Sequence, residues 1–598
     1  MDLATLRAIK PTEFSEAADG YRGTSDMASA AKDRLDNQIA VAMRNSLKGE
    51  AATAAIGQLT ELGKNFHYVQ VECGLVGAAL EAFSYEVGAA KGKLDAALEG
   101  ARAAKLTVNA DGSITYPPSG DKGEDGRIPD GGTVGGLTDS TAAAVGRQSA
   151  TFDPNPHHRL AQDYADQIAA ALKAATEADE KWAPKLRALK ADDDLTVSDR
   201  DWADASSDTK GVGGAGEAYL GSMPQPPADG SAKENAEWWQ GLSAEERAAW
   251  VSMRPDLVGA LDGLPATVRD EANRIVFDET RGTMRTELDS IPVPPADEWT
   301  WINSGGYASK VHTDEWMNWH NKYGDRYDSL TASLKGMESI QARFDATGNG
   351  GLPEAYLLKF DADGNGRAIV ANGNPDTAHH QAVYVPGTTA SLGKVDGDIG
   401  RMTDLWRVAH TEAHGESVST ITWLGYDAPQ NLVMDSPFEH YAYDGAPAFR
   451  DFMDGLDASH SGDGGPHRTV IAHSYGTTLV GAAAQTGHLN ADDVVLAGSP
   501  GVKVSRAADL DVPSGHVWNE EAAGDPVPDV GRFGHGGSGW VVPSDPSFGA
   551  RQMTTDTGGH SGYWDAGSDS LRNQARVVVG KGGNVELKPP PDPWAHVK

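Results

Sequence analysis

A chain of 598 residues is too long for one hydrophobic core, and its length asks for about three or four domains. Acidic residues outnumber basic ones by 86 to 51, a formal charge of −35, which excludes nucleic acid and anionic membrane as main partners because both repel an acidic surface. A single cysteine, Cys73, excludes a disulfide scaffold and a cysteine-based metal site within one chain.

No stretch approaches the roughly 18 uninterrupted apolar residues of a membrane span. The opening MDLATLRAIKPTEF lacks the apolar core of a secretory signal peptide. The expected location is therefore cytoplasmic, or outside the cell by a route that uses no such peptide.

Residues 12–47 read as a helix whose apolar residues, among them Met27, Leu35, Ile39, Met43 and Leu47, step by four. Leu47-Lys48-Gly49 breaks the pattern. A second helix, 50–104, carries Leu59, Leu62, Phe66, Val69, Cys73, Val76, Leu80, Phe83, Val87, Ala90 and Leu94 at heptad spacing. Cys73 lies in that seam as a core residue, since nothing nearby would lower its pKa. Two helices joined at L-x-G resemble the small helical hairpins of type VII secretion, the WXG family, with Leu47 in place of the Trp. Their Y-x-x-x-D/E export motif is matched in letters by Tyr68 and Glu72, inside the second helix. The resemblance implies that residues 1–107 bind a helical-hairpin partner or self-associate. The plainer expectation is a hairpin packed on the helices that follow.

Residues 108–156 are rich in Gly, Pro and Asp and read as a linker. Residues 157–345 read as a helical region, with helices at 158–190, after Trp238, at 266–284 and at 327–344. Ser243 and Glu246 form a capping box there. From about Leu352 the period changes to short apolar runs between turns: 356–360, 368–371, 382–385, 420–424, 468–471, 494–497, 516–519 and 552–555. Asp361–Gly366 begins like a calcium loop. Its twelfth position is Asn372 where a bidentate Glu is needed, so a hairpin turn is expected. Residues 346–580 thus read as one α/β domain, a mostly parallel sheet with crossover helices, preceded by an all-α region. Residues 581–598 form a Pro-rich tail.

Within that domain, Thr469-Val470-Ile471 reads as a buried strand and Thr477–Ala484 as a tightly packed helix, with Ala472-His473-Ser474-Tyr475-Gly476 between them. Strand, sharp turn at a serine and helix make the nucleophile elbow of α/β-hydrolases. Residues two before and two after the serine must be small. Gly476 is, and Ala472 is a mild departure from the usual Gly. In this fold the acid and then the histidine follow the serine along the chain. Asp525, after the strand 516–519, is the expected acid, with Asp529, Glu520 and Glu521 as rivals. His560, between glycines after the last strand, is the expected base, with His535 as its competitor. His473 is a packing or hydrogen-bonding residue, because neighbouring side chains at an elbow diverge. The oxyanion donors are expected at Tyr475 and at Thr388 or Thr389 in the VPGTT turn.

The set VPGTT, TWLGYDAP, VIAHSYGTT, DDVVLAGSPG, Asp525 and GGHSGYW resembles a family of actinobacterial α/β-hydrolases of unknown substrate that carry helical segments before the hydrolase domain. The likeness covers residues 236–580. It implies a serine hydrolase and carries over Ser474, Asp525 and His560. The expected activity is cleavage of an ester or related acyl bond in a small-molecule or lipid-like substrate, without cofactor or metal. The alternative is an exported effector or interaction protein whose hairpin binds a partner.

Overall fold

The computed structural model describes residues 1–124, 126–190, 196–304, 307–462 and 464–589. The C-terminal domain is built on an eight-stranded sheet: β1 Ala355–Asp361, β2 Arg367–Asn372, β3 His380–Val385, β4 Val418–Leu424, β5 His467–His473, β6 Asp493–Ala497, β7 Val517–Glu520 and β8 Arg551–Gln552. Its order is β1-β2-β4-β3-β5-β6-β7-β8. Only β2 runs against its neighbours; β3 to β8 are mutually parallel. Continuous apolar runs such as Val494-Val495-Leu496 suit strands buried on both faces. One core packs Leu357, Val383, Trp423 and Leu479 on one side of the sheet. Another packs Tyr384, Trp406, Ile471 and Tyr563 on the other. The Asp361–Gly366 segment is the β1–β2 hairpin turn, and β8 is shorter than the expected 552–555 run.

The chain leaves β3 for β4 on one side and returns to β5 on the other. A crevice therefore opens between the C-terminal ends of β3 and β5, the switch point at which open α/β sheets bind ligands.

The N-terminal region is helical, as the periodicity predicts. Pro11–Arg34, the π turn Leu35–Ile39 and Ala40–Ser46 run into a turn at Gly49 (φ 99°), and Glu50–Ala103 returns antiparallel. The buried faces differ from those expected. Met27 and Leu47 stand exposed, while Ala18, Ala28, Leu35 and Ala40 are buried. The small side chains let the helices approach closely, and the π turn rotates the stripe. In the second helix Phe83, Val87, Ala90 and Leu94 are buried as expected, but Leu62 and Val69 are not. There the helix buries polar groups instead: His67 bonds Asp278 at 3.0 Å, and Gln70 donates to Glu271 at 2.7 Å. Cys73 is half-buried, and burial, with Glu72 beside it, pushes its thiol pKa up.

The segment 108–156 is structured rather than a linker. Strands Thr107–Val108, Ile114–Tyr116 and Gly132–Val134 form a small antiparallel sheet, followed by helix Ser140–Thr151. Ile114 and Tyr116 bury the alternate positions of its central strand against helix Pro156–Ala188. Residues 191–195 and the tail from 590 lie outside the described residues; before the tail, the Lys588 amide still donates to the Gln552 carbonyl at 2.9 Å. The region also holds helices Asp199–Ala215 and Pro255–Ala260, and the Ser243–Glu246 capping box is formed.

Helix Ala266–Ser290 fastens the helical region to edge strand β1, through Asn273 to the Leu357 carbonyl and Asp270 to the Leu357 amide. The hairpin reaches the sheet at the end opposite the crevice. Arg44 donates to the Thr347 carbonyl at 2.6 Å and Asn37 to Glu354 at 2.7 Å, just before β1 begins. Among the described residues, no helix is long and apolar enough to cross a membrane.

Candidate active site

Strand β5 ends at His473, and helix Tyr475–Thr486 begins directly after Ser474. The turn is forced through Ser474 itself, at φ 54° and ψ −128°, a conformation side-chain-bearing residues rarely adopt. Its amide donates to the Ala497 carbonyl at 3.0 Å, which ties the turn to the end of β6. The crowding explains the small neighbours. A Cβ at Gly476 would lie 2.3 Å from the Val385 carbonyl oxygen, and one at Gly387 would lie 2.6 Å from Ser474 Cβ.

The structure brings His560 and Asp525 together. His560 Nδ1–H donates to both carboxylate oxygens of Asp525 at 2.9 Å. Asp525 also accepts from the Tyr563 hydroxyl at 2.6 Å and from the Val527 amide at 3.0 Å. Tyr563 is held in turn by the Ala522 amide at 3.1 Å. Burial works to raise the Asp525 pKa, but the bonds from His560, Tyr563 and Val527 outweigh it and leave the group below the ordinary carboxylate range. An ionised Asp525 fixes the proton on His560 Nδ1 and leaves the Nε2 lone pair free to act as a base.

Two loops deliver this pair. Asp525 follows β7 through the turn at Gly524, and the loop carrying His560 is pinned to it where the Gly559 amide donates to the Ala523 carbonyl at 3.0 Å. His473 fixes the other side: its Nε2–H donates to the His560 carbonyl at 2.7 Å. Burial, reinforced by the neighbouring His560, pushes the His473 pKa down to about 3, so the ring is neutral. Ser474 therefore adjoins a residue bonded to His560, while among the described residues no hydrogen bond reaches Ser474 Oγ itself.

The rival acids stand elsewhere. Glu520 is buried with Gln574, and burial pushes its pKa well above the ordinary carboxylate range. Asp529 is exposed on helix Val527–His535. His535 is buried beside the Tyr475 ring and donates through Nε2 to the Ser436 carbonyl at 2.7 Å. It lines a cavity of about 220 Å³ together with Thr388, Pro437, Ser474, Tyr475 and Val530.

Of the two threonines expected to supply the second oxyanion donor, Thr389 is ruled out. Its amide is spent on the Pro429 carbonyl at 2.7 Å, in a left-handed turn (φ 68°) that locks the loops after β3 and β4 together. Thr388 faces the same cavity as Ser474.

Sequence reasoning missed Gly498, Tyr563 and the His473–His560 contact. Gly498, directly after β6 at φ 56°, lies against the histidine–aspartate pair: a Cβ there would sit 2.7 Å from Asp525 Oδ2 and 2.9 Å from His560 Nδ1. Its only signal was a glycine immediately after a buried strand.

A family model described as alpha/beta hydrolase matches residues 361–535, a span that includes Ser474 and Asp525. The uncharacterized protein Rv2079 of Mycobacterium tuberculosis is 30% identical over 397 residues, 60% of this chain and 57% of that protein. The chain thus spans little more than half the length of that relative. The uncharacterized proteins Rv0963c of M. tuberculosis and Mb0988c of Mycobacterium bovis are each 30% identical over 221 residues, 34% of this chain and 79% of theirs.

Proposed function

The chain belongs to the alpha/beta-hydrolase family, and from that premise we propose that it is a serine hydrolase that cleaves an ester or related acyl bond through Ser474, His560 and Asp525. The observation that carries this reading is the strained Ser474 at the switch point, whose neighbour His473 is bonded to the backbone of His560, a histidine with its Nδ1–H committed to a buried carboxylate.

In the proposed reaction His560 Nε2 takes the Ser474 proton as Oγ attacks the acyl carbon. Asp525 holds the imidazole and stabilises the imidazolium that forms. The carbonyl electrons move onto oxygen, where the amides of Tyr475 and Thr388 receive the negative charge. As the tetrahedral intermediate collapses, the bond to the leaving oxygen breaks and His560 returns the proton to it. Water, deprotonated by the same imidazole, then releases the acid and restores Ser474.

A partner-binding role for residues 1–107 has less support. Leu75, Ala79, Phe83 and Val87 of the second helix are buried by the chain's own helices.

The test is covalent labelling by a fluorophosphonate, wild type beside Ser474→Ala, with hydrolysis of a short soluble ester measured in parallel. Labelling and turnover that vanish together in a folded Ser474→Ala protein are expected. Turnover that survives the substitution overturns the proposal.

A further inference from the structure

The C-terminal edge of the sheet, where Ser474 lies, carries a concentration of exposed apolar side chains. The loop after β4 presents Leu432, Val433, Met434 and Phe438, and helix Val527–His535 presents Val530 and Phe533. Val433 is 77% exposed and Phe533 68%. Of these, Leu432 and Val530 line the cavity at Ser474, and the other four lie on the same two segments without lining it. Patches of this kind mark interaction sites rather than ordinary surface.

A second element stands on the same side. Strands Trp299–Ser304 and Tyr307–His312 pair with each other and, among the described residues, with no other strand. They expose Trp299, Trp301, Ile302 and Tyr307, with Trp301 69% exposed. The following helix Asp325–Asp345 gives the direction. Gly336 passes the Leu392 carbonyl, level with the β1–β2 turn, and Arg343 reaches Asn372 at the opposite edge. The start of this helix therefore stands about 16 Å above the Ser474 edge, at 1.5 Å per residue, and the aromatic hairpin precedes it.

We propose that this side of the molecule is a lipid-docking face, and that the substrate is an acyl ester presented at the surface of a neutral or zwitterionic lipid aggregate. The inference rests on Ser474 being the nucleophile. Three observations choose a lipid surface over other occupants. The apolar cavity opens within the face, so an acyl chain can pass from lipid to Ser474 without crossing water. A protein, or a second copy of this chain, seated there would close the mouth of that cavity. Trp and Tyr are the residues that favour the depth of lipid headgroups. The lipid is neutral because the cations beside the loop after β4 and helix Val527–His535 are already matched, Lys503 with Glu439, Arg532 with Asp545 at 3.3 Å and Arg367 with Asp427 at 2.7 Å, while on the hairpin Lys310 is engaged over the Trp299 ring at 4.6 Å.

The experiment uses the full chain with Ser474→Ala, so that binding is read without turnover, and sediments it with phosphatidylcholine vesicles. Binding is expected. It should fall by about tenfold or more in Val433→Ser/Met434→Ser/Phe533→Ser and in Trp301→Ser/Tyr307→Ser, both built on the Ser474→Ala chain. The same surface substitutions in the wild-type chain should leave hydrolysis of a short soluble ester intact. No binding to phosphatidylcholine, binding that appears only when phosphatidylglycerol is added, or binding indifferent to the surface substitutions overturns the proposal. So does concentration-dependent dimerisation that those substitutions abolish. Loss of vesicle binding with Ser474-dependent ester hydrolysis intact refutes the docking face alone. Ester hydrolysis independent of Ser474 refutes the enzymatic reading.

Discussion

Gly498→Ala tests the histidine–aspartate pair without touching either residue. The added methyl carbon would lie 2.7 Å from Asp525 Oδ2, 2.9 Å from His560 Nδ1 and 3.0 Å from His560 Cε1. Ordinary contact needs about 3.4 Å or more, so the pair must recede by roughly 0.5–0.7 Å or part. Misplacement approaching 1 Å costs on the order of 100-fold, so kcat should fall by about 30- to 100-fold while KM stays within about twofold. The backbone adds a separate cost. At φ 56° an alanine is strained by about 1–2 kcal/mol, or about 3–8 °C in Tm. Gly515→Ala supplies the control. Gly515 has φ 84° and nothing within 4 Å of an added Cβ, so it should lose similar stability and keep kcat. Steady-state kinetics on a short ester, with thermal unfolding of both variants, decide the matter. A Gly498→Ala enzyme with kcat within about threefold of wild type refutes the placement of the pair at the reacting centre.

Ser474→Gly should remove activity yet raise unfolding stability by about 1 kcal/mol in a denaturant titration, because glycine relieves the strain at φ 54°. Tyr563→Phe removes a bond to Asp525 and leaves the Ala522 amide without its acceptor, a loss of about 1–3 kcal/mol. The folded pKa of Asp525 lies below its ordinary 3.8, so its contribution is present above that value and lost as pH falls through the folded pKa. Weakening it with Tyr563→Phe should move the acid-unfolding midpoint to higher pH. Glu279 behaves in the opposite sense. Burial raises it from 4.5 to about 7, so the folded state keeps a proton the unfolded state releases, and stability falls as pH rises between those values. Glu279→Gln, which still offers an oxygen to Thr209, should flatten that decline by on the order of 2–3 kcal/mol between pH 5 and pH 8, read by denaturant unfolding at the two pH values.

The parts of the fold legible in the sequence are those where one local pattern decides. Val470-Ile471-Ala472 before Ser474 and the small residues after it specify a buried strand, a tight turn and a close-packed helix within a few residues. Asp525 and His560 follow from chain order, because a parallel sheet delivers its loops to one edge in sequence. Gly498 was not legible: its constraint comes from residues 27 and 62 positions away, and a glycine after a strand looks like any turn. Tyr563 was hidden similarly, as an aromatic whose hydroxyl matters only once β7 has brought Asp525 to it. The heptad reading of helix Glu50–Ala103 went astray at Leu62 and Val69 because counting apolar residues presumes an apolar partner. The partner there is the charged face of helix Ala266–Ser290, with Glu271 and Asp278, and polar groups such as Gln70 are buried against it. Composition likewise misread 108–156, where three short strands use glycines for close approach. A Cβ at Gly136 would lie 2.1 Å from the Ala165 carbonyl.

Fastening of the hairpin through Arg44 and Asn37 to the Thr347–Glu354 end of the sheet sets how the protein can be mounted. A bead, a fluorophore or a fused carrier attached near the Gly49 turn would sit at the far pole from Ser474. The molecule could then be anchored there and still offer its open mouth outward, so immobilisation through that turn should leave turnover of a soluble ester unchanged.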